Sequence, residues 1–466
     1  MATTPAFALL DEQPLKRFHV RAMFTTGMGV FTDGYDLSSI GVVLPLVLAS
    51  FGVAKISSLQ SGLLAGSALV GAAVGAVIFG ALAQRGRKTF YGLDVALMAL
   101  AAVAQIFATD LWTLIAIRFV LGIGVGADYV LSPTIMAEHA NRDDRGKTLG
   151  IGFGVMWWGG AIAAGLLLLI LKSAGVSPDM QWRIVLAAGA VPALSVLYLR
   201  RRMPETARYL ARLAGDPGAV SGVVEEVCGD QRHTVPDVDR RDFWQVLFQY
   251  SGPILASAVL WMLFDIVVYS GILFGPSLIA KGLGVDPAIF SLLMSVVFIL
   301  PTALVLSLYA LDRLGRKPTQ AIGMIMAAVM LAIFAGFHDQ LTAAPVLGLI
   351  VFGLYNVFIT FPSMVSGAGI LGVELAPTRV RSVAQSVSVV GGRIGASLSA
   401  FLFPLLFGSI GEVGVISLLA GTAVLGGVLT LIIIPETRGR SLEEINTEEL
   451  HGAMPAYAAQ AVGTAD

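Results

Sequence analysis

Apolar residues run through this chain in long stretches, broken by short polar connectors that carry most of the charge. Segments 63–83, 185–199 and 343–361 hold no charged side chain at all. An apolar run of about 20 residues is long enough to cross the hydrocarbon of a bilayer as a helix. The pattern predicts twelve such spans: 20–50, 58–84, 89–109, 111–138, 147–172, 181–200, 245–280, 287–311, 318–337, 343–376, 380–407 and 412–434. Several exceed what the bilayer requires, which predicts tilt or extension beyond it. The longest polar stretch, 201–243, falls between the sixth and seventh spans. The expected organisation is an all-α membrane protein: a six-helix bundle over 1–200, a cytoplasmic loop over 201–243, a second six-helix bundle over 244–435 and a cytoplasmic tail over 436–466.

The basic residues orient these spans. Arg85, Arg87 and Lys88 follow the second, Arg142, Arg145 and Lys147 the fourth, and Arg200, Arg201, Arg202, Arg240 and Arg241 bracket the central loop. Arg313, Arg316 and Lys317 follow the eighth, and Arg379 and Arg381 the tenth. Connectors after odd-numbered spans hold only Lys55, Lys172, Arg183 and Lys281. Because cytoplasmic loops carry the excess of Lys and Arg, the even connectors and both termini are expected in the cytoplasm, with the chain in the cell (inner or plasma) membrane.

Composition agrees. Of 466 residues, 56% are hydrophobic and 13% charged, about half the charge of a soluble chain, and the mean hydropathy is +0.81. The single cysteine, Cys228, excludes an intramolecular disulfide and a thiolate metal cluster. The five histidines (His19, His139, His233, His338 and His451) sit at span ends, in loops or in the tail, with no second ligand at metal spacing. No metal or cofactor is expected, no nucleophile–base spacing points to an enzyme, and nothing points to nucleic acid. The first 19 residues are polar, with Lys16 and Arg17, and do not read as a cleavable signal.

Four acids interrupt otherwise apolar spans: Asp33 and Asp36 in the first, Asp128 in the fourth and Asp265 in the seventh. Arg393 lies at similar depth in the eleventh. An ionisable side chain in the bilayer core is expensive and by default marks an ion, proton or substrate pathway. Asp33 and Asp36, three residues apart, share a helix face, and two carboxylates that close in low dielectric cannot both stay ionised. Alternatively, one of them caps a helix break at Gly34. Asp128, beside Tyr129, is the other proton-carrying candidate. Trp261, Asp265 and Tyr269 fall at i, i+4 and i+8, so one helix face offers an apolar wall, an acceptor and a hydroxyl. Arg393 is always protonated and grips carboxylate or phosphate oxygens in a fork; an internal ion pair with one of the acids is the competing role. Trp157 and Trp158 line a cavity or pack between helices, with packing favoured. Gly122, Gly124 and Gly126 suit close helix approach, and Arg118 has no assigned role.

An internal repeat is visible. GALAQRGRK at 80–88 recurs as ALDRLGRK at 310–317; Arg85 and Arg313 are 228 apart, Asp36 and Asp265 229 apart. Two parallel six-span repeats with the substrate site between them are a transporter layout. These loop motifs resemble the major facilitator superfamily over nearly the whole chain. The second copy keeps Asp312, Arg313, Gly315, Arg316 and Lys317, whereas the first has Gln84 in the Asp place, which weakens the charge clasp on that side. Pro204-Glu205-Thr206 with Arg208, Pro435-Glu436-Thr437, and Glu374 with Pro377 and Arg379 resemble the sugar-porter-type branch. Within it, FTDGYD at 31–36, GIGVGADYVLS at 122–132, and the Trp261, Asp265, Tyr269 column are similar to the phosphate:proton and organic-anion:proton symporters. Trp158 stands where that resemblance implies a glutamine, the Val365 region where it implies an asparagine, and Arg393 where it implies a lysine.

The resemblance implies twelve helices in two bundles related by a pseudo-twofold axis along the membrane normal. It also implies a monomer that carries a small anion with protons by alternating access. Proton coupling is expected of Asp33, Asp36 and Asp128, and substrate contact of Tyr129, Trp158, Trp261, Asp265, Tyr269 and Arg393. A gating charge network is expected of Arg85, Arg87, Glu138, Arg145, Asp312, Arg313, Arg316, Glu374, Arg379 and Arg381. Four acids facing one arginine would repel an anion unless some carried protons, and that requirement is coupling. Sugar:proton symport and proton-driven export of a cation or drug are the alternatives. Glu443, Glu444, Glu448 and Glu449 read as a solvated acidic tail.

Overall fold

The computed structural model describes residues 4–52, 57–229, 233–275 and 279–448; Lys55, Glu449 and His451 lie outside the described residues. In lipid no water pairs with backbone N–H and C=O groups, so an apolar run of this length satisfies them by forming a helix. Ten spanning helices follow in order: Arg17–Ser50, Ser58–Leu82, Arg87–Phe107, Leu111–His139, Arg145–Ser173, Pro178–Arg202, Ser251–Phe274, Ile289–Leu314, Arg316–Gly336 and Pro345–Glu374. A continuous helical run of 53 residues, Arg381–Ile433, comes last. At 1.5 Å per residue it measures about 80 Å, more than twice the hydrocarbon thickness. Gly411, with φ 72° and ψ 177°, breaks it into the eleventh and twelfth spans. The seventh span starts later than its apolar run, because Phe243–Gln249 forms a separate short helix ahead of it.

Small residues set how closely the spans pack. A Cβ on Gly122 or Gly126 would run into the carbonyls of Ala68 or Ala72 in the second span. Gly391 and Gly395 of the eleventh span make the equivalent approach to Ala258 and Met262 of the seventh. Such contacts replace a hydrophobic driving force that lipid cannot supply. The second and eleventh spans meet across the two halves, where Ser382 and Ser386 donate to the Gly80 and Ala76 carbonyls at 3.2 and 2.7 Å. Gly34 does not break the first helix; its bare Cα admits the Trp157 carbonyl instead.

The polar connector is more ordered than a loop. Thr206 caps a helical turn that runs on to Ala214, and Asp216 caps Pro217–Cys228. Val220, Val223, Val224 and Val227 give that helix one apolar face, against which the N-terminal helix Ala6–Glu12 buries Phe7 and Leu10. A two-residue parallel bridge, Thr4–Pro5 with His233–Thr234, adds the small strand content among the described residues. The acidic tail, expected to be a solvated face, is one only in part: Glu444 is exposed, whereas Glu443 and Glu448 are buried. Glu443 is buried in a fork on Arg208, with Nε to Oε1 at 2.7 Å and Nη2 to Oε2 at 3.1 Å, and Asp11 takes Nη2 at 2.8 Å. Glu448 accepts from the Thr378 amide at 2.5 Å.

Two acids on one guanidinium divide unequally. Burial opposes the charge on Glu443, but the Arg208 charge and its hydrogen bonds outweigh it and hold that carboxyl at about 2. Burial dominates at Asp11 and, with the neighbouring Glu443 charge, pushes it up despite Arg208. The contribution of Glu443 is therefore complete above the ordinary glutamate range near 4.3 and is lost as pH falls through about 2. That of Asp11 has the opposite sign, complete below about 3.9 and shrinking as pH rises. Glu443→Gln should cost about 3–5 kcal/mol at neutral pH, as expected for a broken buried pair, and Asp11→Asn far less. Melting temperatures in detergent check this; equal losses would contradict the unequal sharing.

Candidate functional site

Between the halves, at mid-depth, lies a small cavity of about 30 Å³ lined by Val30, Tyr129, Phe153, Trp157, Trp158, Trp261, Phe264, Asp265, Tyr269 and Arg393, among others. A second cavity of about 50 Å³ adjoins it through Trp158, Val268 and Ile272 and adds Ser38, Ser291, Ser295 and Asn356. Two walls depend on departures from α-helix that the sequence reading missed. π-Helical turns at Gly150–Val155 and Ser363–Gly367 bring Phe153, Gly154, Ser363 and Gly367 to the cavity. Such turns are frequent at functional sites because they re-aim side chains at the cost of weaker hydrogen bonds. Trp157, for which packing was favoured, and Trp158, which the resemblance places at the substrate, both line the space, edge-to-face at 4.7 Å, and their indole N–H groups have no acceptor among the described residues.

The i, i+4, i+8 column on the seventh span does present Trp261, Asp265 and Tyr269 together, and the eleventh span sets Arg393 against them. Arg393 Nη1 donates to the Tyr269 hydroxyl at 2.9 Å, and its guanidinium lies 4.6 Å from the Tyr129 ring centre. Toward Asp265 it makes only a loose ion pair, Nη2 to Oδ2 at 3.5 Å, and that oxygen accepts no hydrogen bond. Arg393 Nε is likewise unbonded. The Nε–Nη2 edge of a buried guanidinium is thus available for the oxygens of an anion, while Nη1 is held by the phenol.

The acids of the first and fourth spans separate into distinct environments. Asp128 Oδ1 accepts from Arg200 Nη1 at 2.7 Å and from Ser132 at 2.5 Å, and Arg200 Nη1 also binds Asp94 Oδ2 at 2.6 Å. Arg200, the last residue of the sixth apolar run, is fully buried and packs 4.2 Å from the Tyr91 ring centre. Gly29 provides the room, since a Cβ there would strike both Arg200 and Asp128. Asp36 lies under Arg118, whose Nη2 approaches the Asp36 carbonyl at 3.5 Å, in a space left by Gly189. Asp33 is different: it is fully buried, and neither carboxylate oxygen has a partner. The charges bearing on it are those of Asp128, Arg200, Asp36 and Arg393.

The balance of four acids against one arginine is thereby corrected. Arg200 and Arg393 pair with acids directly, Arg118 bears on Asp36 only by its charge, and among the described residues neither oxygen of Asp33 has a hydrogen-bond partner. Asp94 and Arg200 were overlooked because both sit near span ends, where charges are common. Only the fold shows them meeting Asp128.

At the end of the bundle bearing the polar connectors, two ion-pair clusters repeat the internal symmetry. Glu138 receives Arg87 at 2.7 Å and Arg381 at 2.8 Å, and its other oxygen takes Thr206 at 2.5 Å. Glu374 receives Arg145 at 2.7 Å and Arg316 at 3.0 Å, and its other oxygen takes Thr437 at 2.5 Å. In each cluster one arginine comes from the opposite half, so the clusters latch the halves together at this end. Asp312 adds acceptors for the Gly146 and Lys147 amides at 2.9 and 2.7 Å, whereas Gln84 in its equivalent place reaches only the Ser382 hydroxyl, at 2.6 Å. Arg85 and Arg313, expected in this network, point to solvent, and neither they nor Arg379 form an ion pair among the described residues. In the repeated motif the second arginine, Arg87 or Arg316, is the buried one, because the turn at Gly86 or Gly315 directs it inward. Glu374→Gln should loosen the latch. In a Cys228→Ser background, a cysteine at buried Met364 should then react with impermeant maleimide several times faster; an unchanged rate would deny the latch its gating role.

Residues 22–448 match the family model described as sugar (and other) transporter. A probable inorganic phosphate transporter 1-6 of Arabidopsis thaliana is 31% identical over 94% of this chain and 95% of its own length. A probable inorganic phosphate transporter 1-10 of Oryza sativa subsp. japonica is 32% identical over 95% and 92%. Among solved structures, the major facilitator superfamily proton:xylose symporter XylE bound to 6-bromo-6-deoxy-D-glucose superposes with a TM-score of 0.80 at 20% identity, over 92% of this chain and 99% of that one. The inward open conformation of XylE from E. coli gives 0.66 over 92% and 99%. With two six-span repeats, a buried site between them and a family match over most of its length, the chain belongs to the sugar (and other) transporter family and has the fold of the major facilitator superfamily symporter XylE.

Proposed function

We propose that this protein imports a small anion, inorganic phosphate or a small organic acid, together with protons. The bundles 1–200 and 244–435 would rock about the central cavity, in the cell membrane, with both termini in the cytoplasm. The observation that carries this reading is the pairing of Arg393, whose Nε–Nη2 edge is available, with Asp33, whose carboxylate is buried without a partner. An anion bound at Arg393 displaces the loose contact with Asp265. The added negative charge in low dielectric is tolerated only if a nearby acid takes a proton. Asp33 is that acid; Asp128 is committed to Arg200 and Asp36 is neighboured by Arg118. The names of the phosphate-transporting relatives support an anion. A sugar site would call for several carboxamides, and among the described residues Asn356 is the one that lines the two cavities.

Uptake by proteoliposomes with an inside-alkaline pH gradient tests the reading. Labelled phosphate, a small carboxylate such as lactate or benzoate, and glucose are compared with and without an uncoupler. Gradient-dependent accumulation of an anion is the expected result. Glucose accumulation indifferent to Arg393→Ala would replace it with a sugar porter whose arginine is structural.

A further inference from the structure

We propose that a groove at the seam of the second and eleventh spans binds an anionic phospholipid of the leaflet assigned above to the cytoplasmic side. The groove has a volume of about 720 Å³. One wall is Val77, Ala81 and Gln84 of the second span; the other is Val383, Val387 and Val390 of the eleventh, with Arg379 at its mouth. Those spacings put each set on a single helix face. Phe243, Trp244 and Leu247 of the short helix before the seventh span form the floor, and Trp244 and Phe248 beside it are 61% and 72% exposed, as aromatic residues at a membrane interface are. From the start of the eleventh span to Val390 the groove climbs about 14 Å at 1.5 Å per residue, close to the roughly 15 Å of one leaflet.

An apolar groove open to a bilayer is filled by lipid, so the question is which headgroup it selects. Arg379 answers it. The side chain is half-buried, forms no ion pair among the described residues, and its Nε has no acceptor; Asp239, whose charge also reaches it, is already gripped by Arg241 at 2.5 and 2.9 Å. Basic pockets at this depth take anionic headgroups. The symmetry-related seam supports the assignment by contrast. There Asp312 clasps Gly146 and Lys147, while here neutral Gln84 stands in its place and adds no negative charge. Because the walls belong to different halves, a lipid seated here bears directly on how readily they rock.

Native mass spectrometry of the protein released from micelles with equimolar phosphatidylglycerol and phosphatidylcholine tests this. Phosphatidylglycerol should be retained preferentially, and the preference should fall about fivefold in Arg379→Ala, the worth of one basic residue near an anionic surface. Gln84→Asp should also lower it, and keeps the test decisive if Arg379→Ala folds poorly. Excess free phosphate should displace nothing. No preference in the parent protein, an unchanged preference in both variants, or displacement by free phosphate would each overturn the proposal.

Discussion

Arg393→Ala should abolish concentrative anion uptake, with affinity falling a hundredfold or more. A charge-assisted hydrogen bond contributes about 1.5–3 kcal/mol, and the Nε–Nη2 edge offers two. The same change leaves Asp265 without its only cation and should cost roughly 3–5 kcal/mol of stability, as for any buried pair broken from one side. The double variant Arg393→Ala with Asp265→Asn separates these effects, because it removes the orphaned charge. Its melting temperature should recover while uptake stays absent. Arg393→Lys should transport poorly: an ammonium is a point charge and cannot hold Tyr269 through one nitrogen while presenting a planar edge to an anion. Anion uptake surviving in the double variant would remove the arginine from the substrate site.

Asp33→Asn and Asp128→Asn should differ in kind. Asparagine imitates a protonated aspartate, and Asp33 makes no hydrogen bond to lose. Asp33→Asn should therefore retain anion exchange across the membrane and lose the acceleration by a pH gradient, down to the uncoupled rate. Asp128→Asn removes one of two acids holding Arg200. Its main effect should be a lower melting temperature, by the few kcal/mol of a broken buried pair, with exchange and coupling reduced together. Exchange measured by labelled-anion counterflow, beside gradient-driven uptake, distinguishes the two. If Asp33→Asn still responds to the gradient, Asp36 with its neighbour Arg118 becomes the proton-carrying candidate.

Gln84 illustrates how a single substitution is legible and yet incomplete in sequence. The motif comparison announces a weakened clasp at 80–88, and the structure shows one hydrogen bond to Ser382 where Asp312 makes two to a helix start. What opens beside it, and that Arg379 faces the opening without a partner, follows from how two distant helices meet. The acidic tail is a similar case. Glu443 and Glu448 look solvated because exposed charge is the usual fate of a polar terminus, yet Arg208, Thr378 and Arg381 draw them inside. A signal for the connector helix was present in the spacing of Val220, Val223, Val224 and Val227 behind Asp216-Pro217, and was lost against the much longer apolar runs.

Sequence alone determined the spans and the repeat, predicted an orientation from charge, and picked out Asp33, Asp36, Asp128, Asp265 and Arg393 within the apolar runs. Each of these rests on one-dimensional quantities, namely the length of apolar runs, the count of Lys and Arg per loop, and the cost of burying a charge. Pairing was decided by tertiary structure. Asp128 with Arg200 is 72 residues apart in the chain, Arg145 with Glu374 229, and Arg393 with Tyr269 124. No local pattern encodes such meetings, because an arginine reaches several angstroms in any direction and its partner depends on which glycine clears the way. Gly29 and Gly189 do so here, and the result leaves both carboxylate oxygens of Asp33 buried without a hydrogen-bond partner among the described residues.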